Sequence, residues 1–535
     1  MTQRVCTVGL WTIILAVTFV GSFRQAAWFG DGREYLLYAR AFAAHLSPDI
    51  REDDVDRAAS IMRHGDPVLE RDFRAMGTGR PLGSTARVDT AGFVRAADGR
   101  LYTWHFWLYP ALVSPFLALT ELLRVPPLAA FLLCNWALVL ITLGYVAFRW
   151  GGMPSQKHLL ASLFLLTGTT YYVWWPHPEV FTASLVLLAL MAASDRRYGW
   201  SMLATALAAA QNPPLIVLLA ALALKALFDQ GLLGAGARSA GNRPHGSRWT
   251  IQVIVGAFAV ALAPVAFFWA TSRVANPIAA VGAADTSLIS VSRLESMFFD
   301  LNQGMAIGIP GVALGVAVLT VVGLAQLRDR RNSGGWRVLR PIILGVTLSI
   351  IMAVPALAAT NWNSGQSAFS RYAYWLSIPI TFAVVVSLAA LPPRWRVTLG
   401  VSIVAVQLVT AAYYGFWGNN ARSDHVAFKP AARYVLLRFP ELYNPEPEIF
   451  IERLRHREGV PDSPTDADSI FRFPETGEPT KILVRESRLA DVTTSLRRAC
   501  RTLSTAPVEG GWVYLNICDD ASCLRSKTGS EGEAR

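Results

Sequence analysis

The sequence predicts an all-α polytopic membrane protein with about 11 to 13 transmembrane helices, a long outward first loop carrying surface helices, and a small extracytoplasmic C-terminal tail or domain. Three observations lead there. The chain is 53% hydrophobic and only 16% charged, whereas soluble domains carry about a quarter charged residues. Apolar runs close to spanning length recur between residues 5 and 415. Arg and Lys gather in short clusters between those runs, as cytoplasmic anchoring requires. That clustering also removes the nucleic-acid partner that a net charge of +11 suggests in a soluble chain.

Residues 5–23 follow a single Arg4 and are long for the apolar core of a signal peptide; the flank Ser22-Phe23-Arg24-Gln25 is a poor cleavage site. They read as a retained first helix with a cytoplasmic N-terminus. The next 24–105 hold no spanning run, and a structureless loop of about eighty residues is uncommon unless it works. Short helices lying on the outer membrane surface are expected there. Apolar segments follow at about 106–123, 127–148, 158–175, 180–194, 200–211, 213–228, 250–270, 305–326, 341–359, 372–391 and 397–415, measured against the roughly twenty residues a crossing needs. Basic stretches from Lys225 to Arg248, from Arg328 to Arg340 and at Arg394 and Arg396 orient the later half, so that 271–304, 360–371 and everything after 418 face outward. The parity of the crossings between 106 and 148 stays open. Gln211-Asn212-Pro213-Pro214 interrupts a helix, because proline lacks a donor and clashes with the preceding turn. Two half-length helices meeting there bring polar backbone to a cavity rather than to lipid.

From Gly418 the composition turns charged and Pro-rich, so residues 1–417 and 418–535 are read as separate parts. The second part holds Cys500, Cys518 and Cys523 in an oxidising compartment, which predicts one disulfide and leaves three pairings open. No Cys-x-x-Cys pair, His-rich tract, Walker loop or Gly-x-Gly-x-x-Gly fingerprint occurs, so nucleotide hydrolysis is not expected.

Several polar motifs fall on the outer face of this topology. They are Asp31 and Glu34; Trp174-Trp175-Pro176-His177-Pro178-Glu179; Gln211-Asn212-Pro213-Pro214; Phe299 to Gly304; and Asn361 to Tyr372. If Gly32 opens a helix, Asp31 and Glu34 share one side while Tyr35, Leu36, Ala39 and Phe42 form an apolar stripe for the bilayer or a neighbouring span. Each candidate has a plain alternative. A solvated juxtamembrane helix explains the two acids, and the helix dipole favours Glu179 at a helix start. Snorkelling explains Arg371. His177 between two prolines reads as a rigid turn residue, and an aromatic belt accounts for Trp174 and Trp175.

Asp31-Gly32-Arg33-Glu34-Tyr35, with Ala39-Arg40 after it, resembles the first-loop signature of the GT-C superfamily. These are polytopic glycosyltransferases that take sugar from a polyprenyl-phosphate carrier, the aminoarabinose and protein O-mannosyl transferases among them. Gly32 stands where the second acid of that signature usually sits, and Glu34 lies two positions further on. His177-Pro178-Glu179-Val180-Phe181 resembles the Pro-Asp segment that opens a later helix in the superfamily, with Glu for Asp. Asn363 to Tyr372 is similar to a Gly-Gly-x-Ser-x-Gly-x-Arg-Tyr segment of bacterial members. The resemblance implies a GT-C transmembrane catalytic domain over 1–417, in the bacterial inner membrane with its active site outward. It implies a polyprenyl-phosphate sugar donor and a lipid, glycan or protein acceptor. Asp31 and Glu34 would be catalytic, with Asp31 the general base, and Tyr35, His177, Glu179, Arg371 and Tyr372 would bind substrate, Arg371 at the departing phosphate. Oxygen ligands at Glu34 and Glu179 would suit Mg²⁺ or Mn²⁺, and adding His177 would admit Zn²⁺. Arg80, Arg87, Arg95 and Arg100 are further phosphate contacts or a solvated loop. The rival readings are a transporter or lipid flippase and a non-enzymatic envelope scaffold working through its outer tail.

Overall fold

The computed structural model describes residues 30–62, 80–81, 92–96, 99–233, 246–329, 334–365, 370–414, 426–458, 470–498, 502–508 and 510–518. The proposed first helix at 5–23 lies outside them. The described chain is mostly helical, and every apolar segment from residue 106 onward that the sequence singles out is helical at least in part. Among the described residues six helices are long and apolar enough to cross a membrane by length and composition: Leu128–Phe148, Arg248–Ser272, Pro310–Arg328, Gly335–Ala356, Arg371–Leu388 and Pro393–Tyr413. Their surroundings differ. The most apolar stretch of Arg248–Ser272 is only 22% buried within the protein, leaving an apolar face for lipid, whereas that of Arg371–Leu388 is 89% buried and so sits inside the bundle. Leu108–Leu122 has 15 residues and spans about 22 Å at 1.5 Å per residue, short of a hydrocarbon core of about 30 Å.

The all-α expectation needs one correction, because two small sheets accompany the helices. In the first loop β1 (Arg80–Pro81), β2 (Phe93–Arg95) and β3 (Leu101–Thr103) pair in that order. In the C-terminal region β4 (Ile470–Phe473), β5 (Lys481–Arg485), β6 (Thr502–Val508) and β7 (Trp512–Cys518) form an antiparallel sheet in the order β4-β5-β7-β6. The apolar residues of Ile482-Leu483-Val484 and Trp512 to Ile517 come in runs of strand length, too short to register against a window of about twenty residues.

The chain divides into two compact units. One holds Met1–Thr286, Pro310–Ala359 and Tyr374–Val409; the other holds Ser287–Ile309, Thr360–Ala373 and Thr410–Arg535. In the first unit the helix Gly32–His45 packs on Leu108–Leu122, which leads through Leu128–Phe148 and Glu179–Ser194 to Tyr198–Gln211. The helix Gly32–His45 is buried nearly all round, from Glu34 to Ala39 and at Ala41. It is therefore not the expected surface helix with a single apolar stripe. Tyr38 shows what holds it: its hydroxyl donates to the Thr103 carbonyl at 2.9 Å and accepts from the Thr103 N–H at 3.0 Å. Arg40 adds an ion pair in which its Nη1 donates to both Glu121 carboxylate oxygens, at 2.6 and 2.7 Å.

The Gln211-Asn212-Pro213-Pro214 break behaves as its prolines require. Tyr198–Gln211 stops, Pro213–Leu215 makes a 3-10 turn, and Ile216–Asp229 resumes. Buried Gln211 accepts from the Tyr109 N–H at 2.7 Å and donates to the Phe106 carbonyl at 2.9 Å. The polar residue at the break thus satisfies backbone groups at the start of Leu108–Leu122. A second irregularity, the π-helical turn Leu165–Thr169, brings Thr169 Oγ1 within 2.6 Å of the Tyr374 hydroxyl, and Tyr374 stacks on Tyr172.

The second unit is a small α+β fold. One face of its sheet, through Phe471, Phe473, Leu483 and Tyr514, packs on Leu436, Phe450 and Leu454. The other face, through Ile482, Val484, Leu515 and Ile517, is covered by Leu489, Val492 and Leu496 of the helix Leu489–Arg498.

Candidate functional site

In the first unit the polar residues gather where Gly30 turns the chain into the helix Gly32–His45. Gly30 has φ +42°, and a Cβ there would stand 3.3 Å from the His177 ring, so a glycine both makes the turn and admits the imidazole. Asp31 follows at the N-cap position without a side-chain capping bond. Glu34 lies one turn on, and the expected pairing of the two acids is observed. Carboxylate oxygens of Asp31 and Glu34 and a ring nitrogen of His105 all lie within 4.8 Å of one another. His105 Nε2 is 3.7 Å and His177 Nδ1 4.0 Å from Asp31 Oδ2, both within reach for attraction to a charged ring.

The rings are fixed by their neighbours. Tyr35 sits between His105, at 5.0 Å between centroids, and His177, at 5.6 Å. Trp104 donates its indole N–H to His105 Nε2 at 2.9 Å. His177 is 1% exposed and packs on Trp175 at 5.1 Å. It is a turn residue as expected, but one brought against Asp31. Trp175 is likewise buried, so the aromatic-belt reading does not apply to it: its carbonyl and that of Val173 accept from buried Asn135 at 3.0 and 3.1 Å.

Burial, and after it the neighbouring Asp31 charge, push the Glu34 carboxyl well above the ordinary carboxylate range. Gly92 is the residue that lets Glu34 lie where it does. Its φ is +95°, and a Cβ would fall 1.9 Å from Glu34 Oε1. Asp31 itself keeps 21% of its side chain exposed, so it is the member of the cluster that an incoming ligand can reach.

The other expected site residues lie elsewhere. Glu179 heads the helix Glu179–Ser194 and is 4% exposed, with its Oε2 lacking a hydrogen-bond partner among the described residues. Arg371 and Tyr372 belong to the second unit. Arg371 is 6% exposed, its N–H donates to the Ser364 carbonyl at 3.0 Å, and its guanidinium lies 5.1 Å from the Tyr372 ring centroid. Buried this way, it is not a snorkelling anchor. Arg95 and Arg100 are exposed in the first loop, and Arg87 lies outside the described residues. So do Cys500 and Cys523, two of the three cysteines of the proposed disulfide, while Cys518 ends β7.

His105 is a site residue the sequence did not single out. It belongs to no recognised motif, and only the pairing of β3 with β2 positions it. In the second unit the sequence singles out the motifs Phe299 to Gly304 and Asn361 to Tyr372 but not their partners Arg293, Tyr443, Glu448, Glu452 and Arg453. Asp300 Oδ1 accepts from the N–H groups of Asn302 and Gln303, at 2.7 and 3.0 Å, and its Oδ2 accepts from Tyr443 at 2.6 Å. Tyr443 accepts in turn from Asn302 at 2.8 Å. Arg453 donates to Gln303, Asn363 to Glu452 at 2.8 Å, and Trp362 and Arg293 both to Glu448, at 2.9 and 2.8 Å. The Phe299–Gly304 and Asn361–Tyr372 motifs are thus tied to the helix Pro447–Arg455. Burial raises the Asp300 carboxyl and lowers the Lys429 amine, the latter aided by the Arg453 charge.

No family model, curated protein or solved structure matches the chain.

Proposed function

We propose that this chain is a membrane glycosyltransferase that moves a sugar from a polyprenyl-phosphate carrier to an acceptor on the outer face of the bacterial cytoplasmic membrane, with inversion. The observation that carries the reading is the partly exposed Asp31 carboxylate beside half-buried His105 and buried Glu34 and His177, in a chain with six helices apolar enough to cross a membrane among the described residues. The order of the resembling segments from Asp31 to Tyr372 adds to it.

In this reaction Asp31 takes the proton from an acceptor hydroxyl or amine as that oxygen or nitrogen forms its bond to the anomeric carbon. The bond from the anomeric carbon to the lipid phosphate oxygen breaks on the opposite face, and the phosphate departs with its electron pair. The His105 and His177 rings lie beside the Asp31 carboxylate, at 3.7 and 4.0 Å from its Oδ2. Buried Tyr35 and His177 wall the cluster and exclude water from one side of it.

The test is transfer from labelled polyprenyl-phosphate sugar in membranes containing the full chain. Asp31→Asn should abolish labelled product, a loss of about 10²-fold or more for a general base, with unchanged folding in detergent. Full transfer by Asp31→Asn sinks the base assignment. Label carried across sealed vesicles without any glycosidic product would sink the enzyme reading in favour of a transporter.

A further inference from the structure

The donor atoms of Asp31, Glu34 and His105 lie within 4.8 Å of one another. Ligand atoms around one small cation stand about 3 to 4.2 Å apart when metal–oxygen and metal–nitrogen bonds are about 2.0–2.2 Å, so modest side-chain rotation closes the set. A second observation points the same way. Glu34 is 7% exposed, and its Oε2 has no hydrogen-bond partner among the described residues. A buried carboxylate oxygen without a partner is costly, and two acids side by side are relieved either by a proton on one of them or by a cation between them. Gly92 closes one side of Glu34, since even a methyl group there would collide with Oε1. The Trp104 indole N–H donates to His105 Nε2, so this nitrogen carries no proton, and a cation bound there takes the place of that hydrogen bond.

We infer that Asp31, Glu34 and His105 bind one divalent transition cation, Zn²⁺ or Mn²⁺. Two carboxylates with one imidazole suit these ions better than Mg²⁺ or Ca²⁺, which favour oxygen alone. His177, which the sequence offered as the nitrogen ligand, stands outside the set at 4.0 Å from Asp31 and backs that carboxylate instead. Asp31 can ligate through one oxygen and keep the other for a proton. The inference therefore sits beside the proposed transfer reaction without depending on it.

The experiment uses the full chain in nanodiscs, stripped with EDTA and freed of any affinity tag. Zn²⁺, Mn²⁺ and Mg²⁺ are titrated separately by calorimetry, bound ions are counted by mass spectrometry, and Mn²⁺ is also followed by paramagnetic resonance. One Zn²⁺ or Mn²⁺ per chain is expected, with Mg²⁺ at least about tenfold weaker. Glu34→Gln and His105→Ala, on separate elements, should each weaken binding about tenfold or more, and His158→Ala, on an exposed histidine, should not. Absence of a stoichiometric ion in the unaltered chain overturns the inference whatever the variants do. Unchanged binding in both ligand variants overturns it as well, by assigning the ion to another place. Since no donor lipid is present, failure here leaves the transfer assay to judge the proposed function by itself.

Discussion

Tyr443→Phe removes one oxygen from the second unit and little else. That oxygen donates to Asp300 Oδ2 at 2.6 Å and accepts from Asn302 Nδ2 at 2.8 Å, and both partners are buried. The phenyl ring still fills the same space, so no cavity term enters. What is lost is one bond to a carboxylate and one neutral bond, leaving a buried oxygen and a buried amide N–H unpaired. Each orphaned group costs about 1–3 kcal/mol, and the two together about 2–4 kcal/mol after partial relaxation. The assay is hydrogen exchange of the slowest amides in β5 and β7, the centre of the sheet. At about 1.36 kcal/mol per decade, these amides should exchange roughly 30- to 900-fold faster in Tyr443→Phe. Exchange within threefold of the parent would refute the claim that the Asp300 network holds this unit together.

Three further outcomes are expected. Gln211→Ala orphans the Tyr109 N–H and the Phe106 carbonyl and should cost about 2–4 kcal/mol, seen as a lower thermal midpoint of the whole protein in detergent. Gly168→Ala puts a Cβ 2.0 Å from the Tyr374 ring; it should destabilise by about 3 kcal/mol, and a second change, Tyr374→Ala, should relieve rather than add to that loss. Glu446 is pushed up to about 8 by burial and then by the Glu448 charge. The folded state therefore holds a proton that the unfolded state releases above about pH 4.5, so this contribution is complete below that pH and is lost as pH rises through about 8. Stability of the unit should fall by up to about 1.4 kcal/mol per pH unit between pH 5 and 7, and Glu446→Gln should flatten that slope. Lys481, held down to about 7 by burial, acts with the opposite sign only above that window.

The long apolar helices were legible because a crossing demands about twenty apolar residues in a row, a length that Leu128–Phe148 meets. The helix start at Gly32 and the pairing of Asp31 with Glu34 were legible too, since one turn of helix fixes that spacing. Burial of the helix on every side was not, because it depends on Leu108–Leu122 and on the Tyr38 bonds to Thr103. His105 escaped for the same reason, since strand pairing rather than neighbouring sequence carries it to Asp31. In the tail, Glu448, Glu452 and Arg453 look like a solvated helix face. Only their partners Arg293, Trp362, Asn363 and Gln303, 86 to 155 positions away, bury them, and no local pattern encodes a partner at that distance. The sequence treated 418–535 as a separate part, whereas Ser287–Ile309 and Thr360–Ala373 cluster with it. Removing the tail would thus take from Asp300, Gln303 and Asn363 their partners Tyr443, Arg453 and Glu452.

The most direct measurement is a cryo-EM map of the full chain with a polyprenyl-phosphate sugar bound. The expected result is headgroup density at the mouth of the Asp31, Glu34 and His105 cluster, with the anomeric carbon close enough for an acceptor atom held by Asp31 to reach it. Ordered headgroup density elsewhere on the protein, with the cluster filled only by its own side chains, would contradict the account.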